Sequence, residues 1–345
     1  MRAVLKRDTK LVLEEIEAPK PTSGQALVRT LHCGICGTDL HALRHFGHLI
    51  EISKRAGLPI AASDVQPIVF GHEFCAELIG YGPGTERRLP PGTRVVAMPT
   101  ICGPAGAEFV GYSNRFPGGF AERMLLSADR LIPVPDGLSS RQAALVEPLA
   151  VGVHAVARAQ LERDSVIMLI GAGPIGLAVL SALRAEGLGP VVVADYSPFR
   201  RGLAEAMGAD RVVDPAEHSP HELWEGLLSG IPRGARRPVV FECVGRPGVL
   251  QSIVDGVPRG TRVLVVGNCL ETDVLEPYVA LTKELNLSFC NMYTGAEFAG
   301  TLEHLAEGRI DADLLITGVV DLEGVAGAFE ALADPERHAK ILVEP

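Results

Sequence analysis

The chain has 345 residues, 47% apolar and 21% charged, which suits an ordinary globular protein able to bury two sizeable cores. Its 32 Lys and Arg against 42 Asp and Glu leave a formal charge of −10, and an acidic surface repels nucleic-acid phosphates and anionic lipid, so neither is an expected partner. The 7 cysteines are irregularly spaced, unlike a disulfide framework, and the charged opening MRAVLKRDTKLVLEEIE lacks the apolar core of a signal peptide; both lead to the expectation of a cytoplasmic protein.

Up to about residue 150 the chain reads as short strands (RAVLK, LVLEEIE, ALVRTLH, RVVAM) between Pro/Gly turns such as Pro19 to Gly24, Pro83-Gly84 and Pro90 to Gly92. This half carries Cys33-Gly-Ile-Cys36-Gly-Thr-Asp-Leu-His41, then Gly71-His72-Glu73, and ends near Glu147. Thiolate, imidazole and carboxylate together suit Zn²⁺, and three protein ligands with an open position make a catalytic centre. No second CxxC completes a zinc ribbon around Cys33 and Cys36. His41, His45 and His48 have the spacing of one helix face and form a rival cluster, although such histidines more commonly line a polar face. Cys75, Cys243, Cys269 and Cys290 lie in apolar runs and read as small core residues.

From about 165 to 290, apolar strands alternate with helical patterns: VIMLI before a helix through Ala185, VVVAD before one through Met207, then PVVFECV, RVLVV and LNLSFC. Continuously apolar strands separated by helices predict a parallel sheet covered on both faces, an α/β arrangement. The longest uncharged run, Ser165 to Leu183, holds 19 residues, but Gly171, Gly173, Pro174, Ile175 and Gly176 at its centre form GxGxxG between a strand and a helix. The first glycine makes the tight turn, the second lets the backbone approach a pyrophosphate, and the third packs helix on sheet, while the helix N-terminus attracts negative charge. VVVAD ends at Asp195, 19 residues past Gly176, where a carboxylate holds ribose hydroxyls and repels a 2′-phosphate, favouring NAD over NADP. Arg200 and Arg201 follow, and Arg200 is kept as a cofactor-binding candidate. The tail reads as a helix from Glu297 to Glu307, a helix from Leu322 to Ala333 and a last strand in AKILVEP.

Taken in order, CGICGTDLH, GHEF, PGGFAE at 117–122, EPLAVGVHA at 147–155, GAGPIGL, the Asp195 strand end and AKILV resemble the zinc-dependent medium-chain alcohol dehydrogenases, of the sorbitol, threonine and butanediol dehydrogenase group, across essentially the whole chain. The resemblance implies a GroES-like, partly barrelled, β-rich catalytic domain (1–148), an inserted Rossmann domain with a doubly wound parallel sheet that binds NAD (149–290), and a C-terminal return to the catalytic domain (291–345). It further implies one catalytic zinc per chain on Cys36, His72 and either Glu73 or Glu147, with Cys33 structural and Asp39 standing behind a ligand. Thr38 then touches the substrate oxygen, His41 ends a proton relay, and hydride passes from a zinc-held alkoxide to the nicotinamide.

Residues 90–120 contain only Cys102, so the structural-zinc lobe of many relatives is expected to be missing. The stretch between His41 and Gly71 is longer than the family's usual gap, and is expected to form a helical lid, or else a surface excursion or oligomer contact. Phe46, Ile101, Tyr112, Phe116 and Tyr293 are candidate pocket walls, and Asn291-Met292-Tyr293 lacks the arginine of polyol-oxidising relatives. A less polar secondary alcohol and its ketone are therefore the leading substrate pair, with polyols or 3-hydroxy-amino acids as alternatives. A zinc-independent double-bond reductase and a non-catalytic dinucleotide-binding protein are the competing classes. A homodimer or homotetramer is implied by the resemblance.

Overall fold

A computed structural model describes residues 1–58, 60, 62–103, 106–232 and 237–345. The chain divides into two compact units, one of Met1–Glu147, Ile316–Asp334 and Lys340–Pro345, the other of Pro148–Leu315 and Pro335–Ala339. The first boundary falls one residue from the expected 148/149. The second differs from the expected 290/291, because the chain stays in the second unit through Leu315. Helix Gly295–Ala306 buries Phe298, Leu302 and Leu305, and the turn Asp313–Leu315 buries Leu315, before the chain leaves that unit.

The first unit is built on a mainly antiparallel sheet in the order Ile316–Val320, Lys340–Val343, Gln25–Gly34, Glu73–Tyr81, Arg94–Val96, Ile132–Pro133. The ten-residue strand Gln25–Gly34 organises it. One edge pairs with Glu73–Tyr81, while the other is shared between Arg123–Ser127, opposite residues 25–29, and the C-terminal strand, opposite residues 33 and 34. A hairpin of Arg2–Arg7 and Lys10–Glu15 adds to it through bridges Ala3 to Ala121 and Lys6 to Ile68.

The register fixes what meets at one end of this sheet. Gly34 faces Glu73 in one pair and Leu342 in the other, so positions 36, 72 and 340 leave the same end of three adjacent strands. Residues 69–72 interlock with the 110–120 loop by backbone bonds from Gly118 to Val69, Gly119 to Gly71 and Phe120 to Phe70. Gly71 has φ +104, and a Cβ there would stand 2.8 Å from the Cys33 sulfur and 2.9 Å from the Gly119 nitrogen, so only glycine fits this crossing.

The long segment after His41 is helical at its start. Gly37–Arg55 forms one helix, kinked at His45, and buries Ala42, Phe46, Leu49 and Ile50. Residues 59 and 61 of the expected lid lie outside the described residues. The stretch around 63–67 is held down by Asn114, whose Oδ1 accepts from the Ser63 nitrogen at 2.7 Å and whose Nδ2 donates to the Ser63 and Pro67 carbonyls.

The second unit carries a six-stranded, wholly parallel sheet in the order Arg211–Val213, Val191–Ala194, Ser165–Ile170, Arg237–Glu242, Arg262–Val265, Asn286–Phe289. The order reverses direction at Ser165–Ile170, the switch point at which ligands bind in open parallel sheets. Along each strand alternate residues face opposite sides. Val166, Met168, Val192, Val240 and Val263 pack on one side with Trp224, Leu228 and Ile253 from helices Pro220–Ser229 and Val249–Gly256. Helices Val146–Ala159 and Pro174–Ala185 approach so closely that a Cβ at Gly152 would strike the Ala178 backbone.

Candidate active site

Cys36 caps helix Gly37–Arg55, where the helix N-terminus favours negative charge. Its Sγ, an imidazole nitrogen of His72 and a carboxylate oxygen of Glu73 lie within 4.8 Å of one another, the sole such group of possible metal ligands among the described residues. Asp39 is fully buried behind it. One oxygen, Oδ2, accepts from the Cys36 nitrogen at 3.0 Å, and the other, Oδ1, accepts from the Tyr112 hydroxyl at 2.6 Å and lies 3.6 Å from His72 Nδ1. With Nδ1 turned toward a carboxylate, the other ring nitrogen of His72 is left for a metal. Burial opposes charge on His72, but Asp39 and Cys36 outweigh it and raise its pKa well above the ordinary value. The same anionic surroundings favour a divalent cation, and the soft and borderline donors present suit zinc.

Lys340 closes the cluster from the far end of the chain. Its Nζ lies 2.8 Å from both oxygens of Glu73 and 3.0 Å from the Ile35 carbonyl, and the pair is almost wholly buried. Desolvation opposes the lysine's charge, yet Glu73, Cys36 and Glu147 together raise its pKa. Glu147, in the first turn of Val146–Ala159, thus acts on Lys340 by its charge but is not a member of the three-ligand group.

Thr38 and His41 are half-buried, three residues apart on the first turns of Gly37–Arg55, so they share one helix face. The His41 and His45 rings are 5.0 Å apart, and His45 and His48 are exposed and outside the ligand group. Cys33 is buried, and burial pushes its thiol well up, as an inert structural residue requires. Phe46, Ile101, Tyr112, Phe116 and Tyr293 are all buried, and Phe46 and Tyr112 stack beside Phe70.

The glycine turn in the second unit follows strand Ser165–Ile170. Gly171 has φ +98, and a Cβ on Gly176 would strike the Gly171 carbonyl, so both positions demand glycine. Gly173 faces open space, with Arg200 Nη1 3.8 Å from where its Cβ would be. Pro174 and Ile175 open helix Pro174–Ala185. Asp195 Oδ2 accepts from the Ala172 nitrogen at 2.7 Å, tying the strand end to the turn, and Oδ1 accepts from the Ser197 nitrogen. Arg201 is committed to Asp214 at 3.0 Å and to the Asp195 and Tyr196 carbonyls, while the buried Nε of Arg200 makes no hydrogen bond.

Residues 22–136 match the alcohol dehydrogenase GroES-like domain, and residues 174–307 match the zinc-binding dehydrogenase domain. The chain is 32% identical over 345 residues to the (R,R)-butanediol dehydrogenase of Bacillus subtilis (strain 168), with 96% of each covered. The chain belongs to the zinc-dependent medium-chain alcohol dehydrogenase family. The sorbitol dehydrogenase of the same organism is 29% identical, over 99% of this chain and 96% of that one. The crystal structure of 2R,3R-butanediol dehydrogenase from Bacillus subtilis superposes with a TM-score of 0.84 at 28% identity, covering 100% of this chain and 99% of that one. The chain is accordingly a zinc- and nicotinamide-dependent alcohol dehydrogenase, with a GroES-like first unit and a Rossmann second unit.

Two residues of this dehydrogenase escape the sequence reading. Lys340 was legible only as part of a terminal strand, although it neutralises Glu73 from 267 positions away. Tyr112 was legible as an aromatic wall, with nothing to indicate that its hydroxyl reaches Asp39. Among the described residues, no helix is long and apolar enough to cross a membrane.

Proposed function

We propose that this dehydrogenase interconverts a small secondary alcohol and its ketone with NAD, using one zinc held by Cys36, His72 and one of Glu73 and Glu147. The observation that carries the reading is the convergence of thiol, imidazole and carboxylate within 4.8 Å beside a buried Asp39. Relatives named for butanediol and for sorbitol support an alcohol carbon bearing another hydroxyl nearby, so polyols stay within the substrate class. Zinc in this site supplies a Lewis acid that lowers the pKa of an alcohol. Thr38 would accept the substrate hydroxyl proton as it releases its own, and His41, on the same helix face, would take up the released proton and pass it outward. Gly171, Gly173 and Gly176, with the N-terminus at Pro174 and Ile175, receive the pyrophosphate, and Asp195 and Arg200 flank the adenosine ribose. NAD is preferred because Asp195 sets a carboxylate at the ribose while Arg201 is bound to Asp214 and is not offered to a 2′-phosphate. Elemental analysis of purified protein is expected to give about one zinc per chain, and turnover of a vicinal diol with NAD⁺ is expected to exceed that with NADP⁺. Protein that stays free of zinc after zinc is offered, or that oxidises no secondary alcohol, overturns the reading.

The same proposal includes a homo-oligomer. Strand Asn286–Phe289 ends the parallel sheet and pairs on one side only among the described residues. Phe289 is 67% exposed, and Tyr278 and Leu281 are exposed as well. An edge strand flanked by exposed apolar side chains is a template for pairing with a second copy. Light scattering is expected to give the mass of two or four chains, and a single-chain mass defeats this part. A cytoplasmic setting is supported by seven cysteines that are all free thiols.

A further inference from the structure

We infer that Tyr112 is a positioning residue for the metal centre, acting through Asp39 on both Cys36 and His72. The inference rests on the proposal that Cys36 and His72 hold the metal. Asp39 is inaccessible to solvent, so its carboxylate depends on protein donors. Those donors are the Cys36 backbone nitrogen at 3.0 Å on Oδ2 and the Tyr112 hydroxyl at 2.6 Å on Oδ1, the same oxygen that faces His72 Nδ1 at 3.6 Å. A short charge-assisted bond from Tyr112 fixes the rotation of the carboxylate, and that rotation decides whether Oδ1 can receive His72 while Oδ2 keeps the Cys36 backbone. One hydroxyl thereby sets the aim of two ligands.

The backbone is shaped to deliver it. Gly111 has φ +86, and a Cβ there would stand 3.0 Å from the Gly71 carbonyl oxygen, so the loop rides directly against the residue before His72. Tyr112 follows, its ring 5.2 Å from the His72 ring and packed beside Phe46 and Phe70, with its hydroxyl reaching Asp39. Partners behind a metal-bound histidine typically change metal affinity by about 10–100-fold when removed.

The test is Tyr112→Phe, which keeps the ring and deletes only the hydroxyl. Zinc affinity is measured by chelator competition, and the absorption spectrum is recorded with cobalt(II) in place of zinc. The variant is expected to bind zinc about tenfold more weakly, with shifted cobalt bands. In an Asp39→Asn background the same change is expected to do almost nothing, because the two residues act in series. Unchanged affinity and spectrum in Tyr112→Phe, or equal losses with and without Asp39, overturn the inference. A parent protein that binds neither zinc nor cobalt(II) at Cys36 instead overturns the metal-centre proposal, so the two failures are distinct.

Discussion

Cys36→Ser is expected to leave the chain folded, strip it of zinc and lower NAD⁺-linked alcohol oxidation about a thousandfold. A serine hydroxyl does not ionise near neutral pH and is a poor match for zinc, whereas a thiolate is a strong ligand. A Lewis acid contributes several kcal/mol to charge stabilisation, and about 4 kcal/mol corresponds to roughly a thousandfold in rate. The fold should survive because Cys36 is only half-buried and the Asp39 contact that starts its helix uses the backbone nitrogen, which serine retains. Zinc per chain, kcat/KM and melting temperature read the three parts separately. Retained zinc with activity within tenfold of the parent would remove Cys36 from the site. Run beside it, Glu73→Gln and Glu147→Gln identify the third ligand as whichever change empties the metal.

The division between what the sequence discloses and what it withholds follows chain distance. The glycine turn is local: strand, turn, helix and second strand end lie within residues 165–195, Gly171 and Gly176 have a steric reason visible in the motif, and Gly173 leaves open the space a pyrophosphate would approach. Asp195 is found by the same logic, and its bond to Ala172 closes that local unit. Cys36 and His72 are legible by donor chemistry, but their meeting depends on the register of Gly34 against Glu73, and the strand that begins at Glu73 carries no separate sign of its partner. Lys340 requires pairing between the two ends of the chain, Leu342 against Gly34, which no periodicity encodes. The late return to the first unit has a similar cause. An amphipathic helix such as Gly295–Ala306 announces an apolar face without stating which core it joins.

Lys340→Met is the substitution expected to cost most in stability. The Lys340–Glu73 pair is 3% and 1% exposed, and removing one member leaves the other charge buried without compensation, a loss of about 3–5 kcal/mol. For a unit of this size that lowers the melting temperature by roughly 6–20 °C. Glu73→Met alone is expected to do comparable damage by stranding Lys340, while Lys340→Met with Glu73→Met exchanges the ion pair for apolar volume and is expected to recover most of the loss, even as the metal centre is damaged. Metal-free protein is the correct sample for all three, since zinc would add its own stabilisation. The pH dependence has a definite sign. The folded pKa of Lys340 lies above its ordinary 10.5, so its contribution is complete through neutral pH and is lost only as pH rises past that value toward the folded pKa. The gap between the parent and Lys340→Met should therefore hold constant between about pH 7 and 9 and narrow only in stronger alkali. A melting temperature within about 3 °C of the parent, or a double variant no better than the single ones, would show that Glu73 does not depend on Lys340.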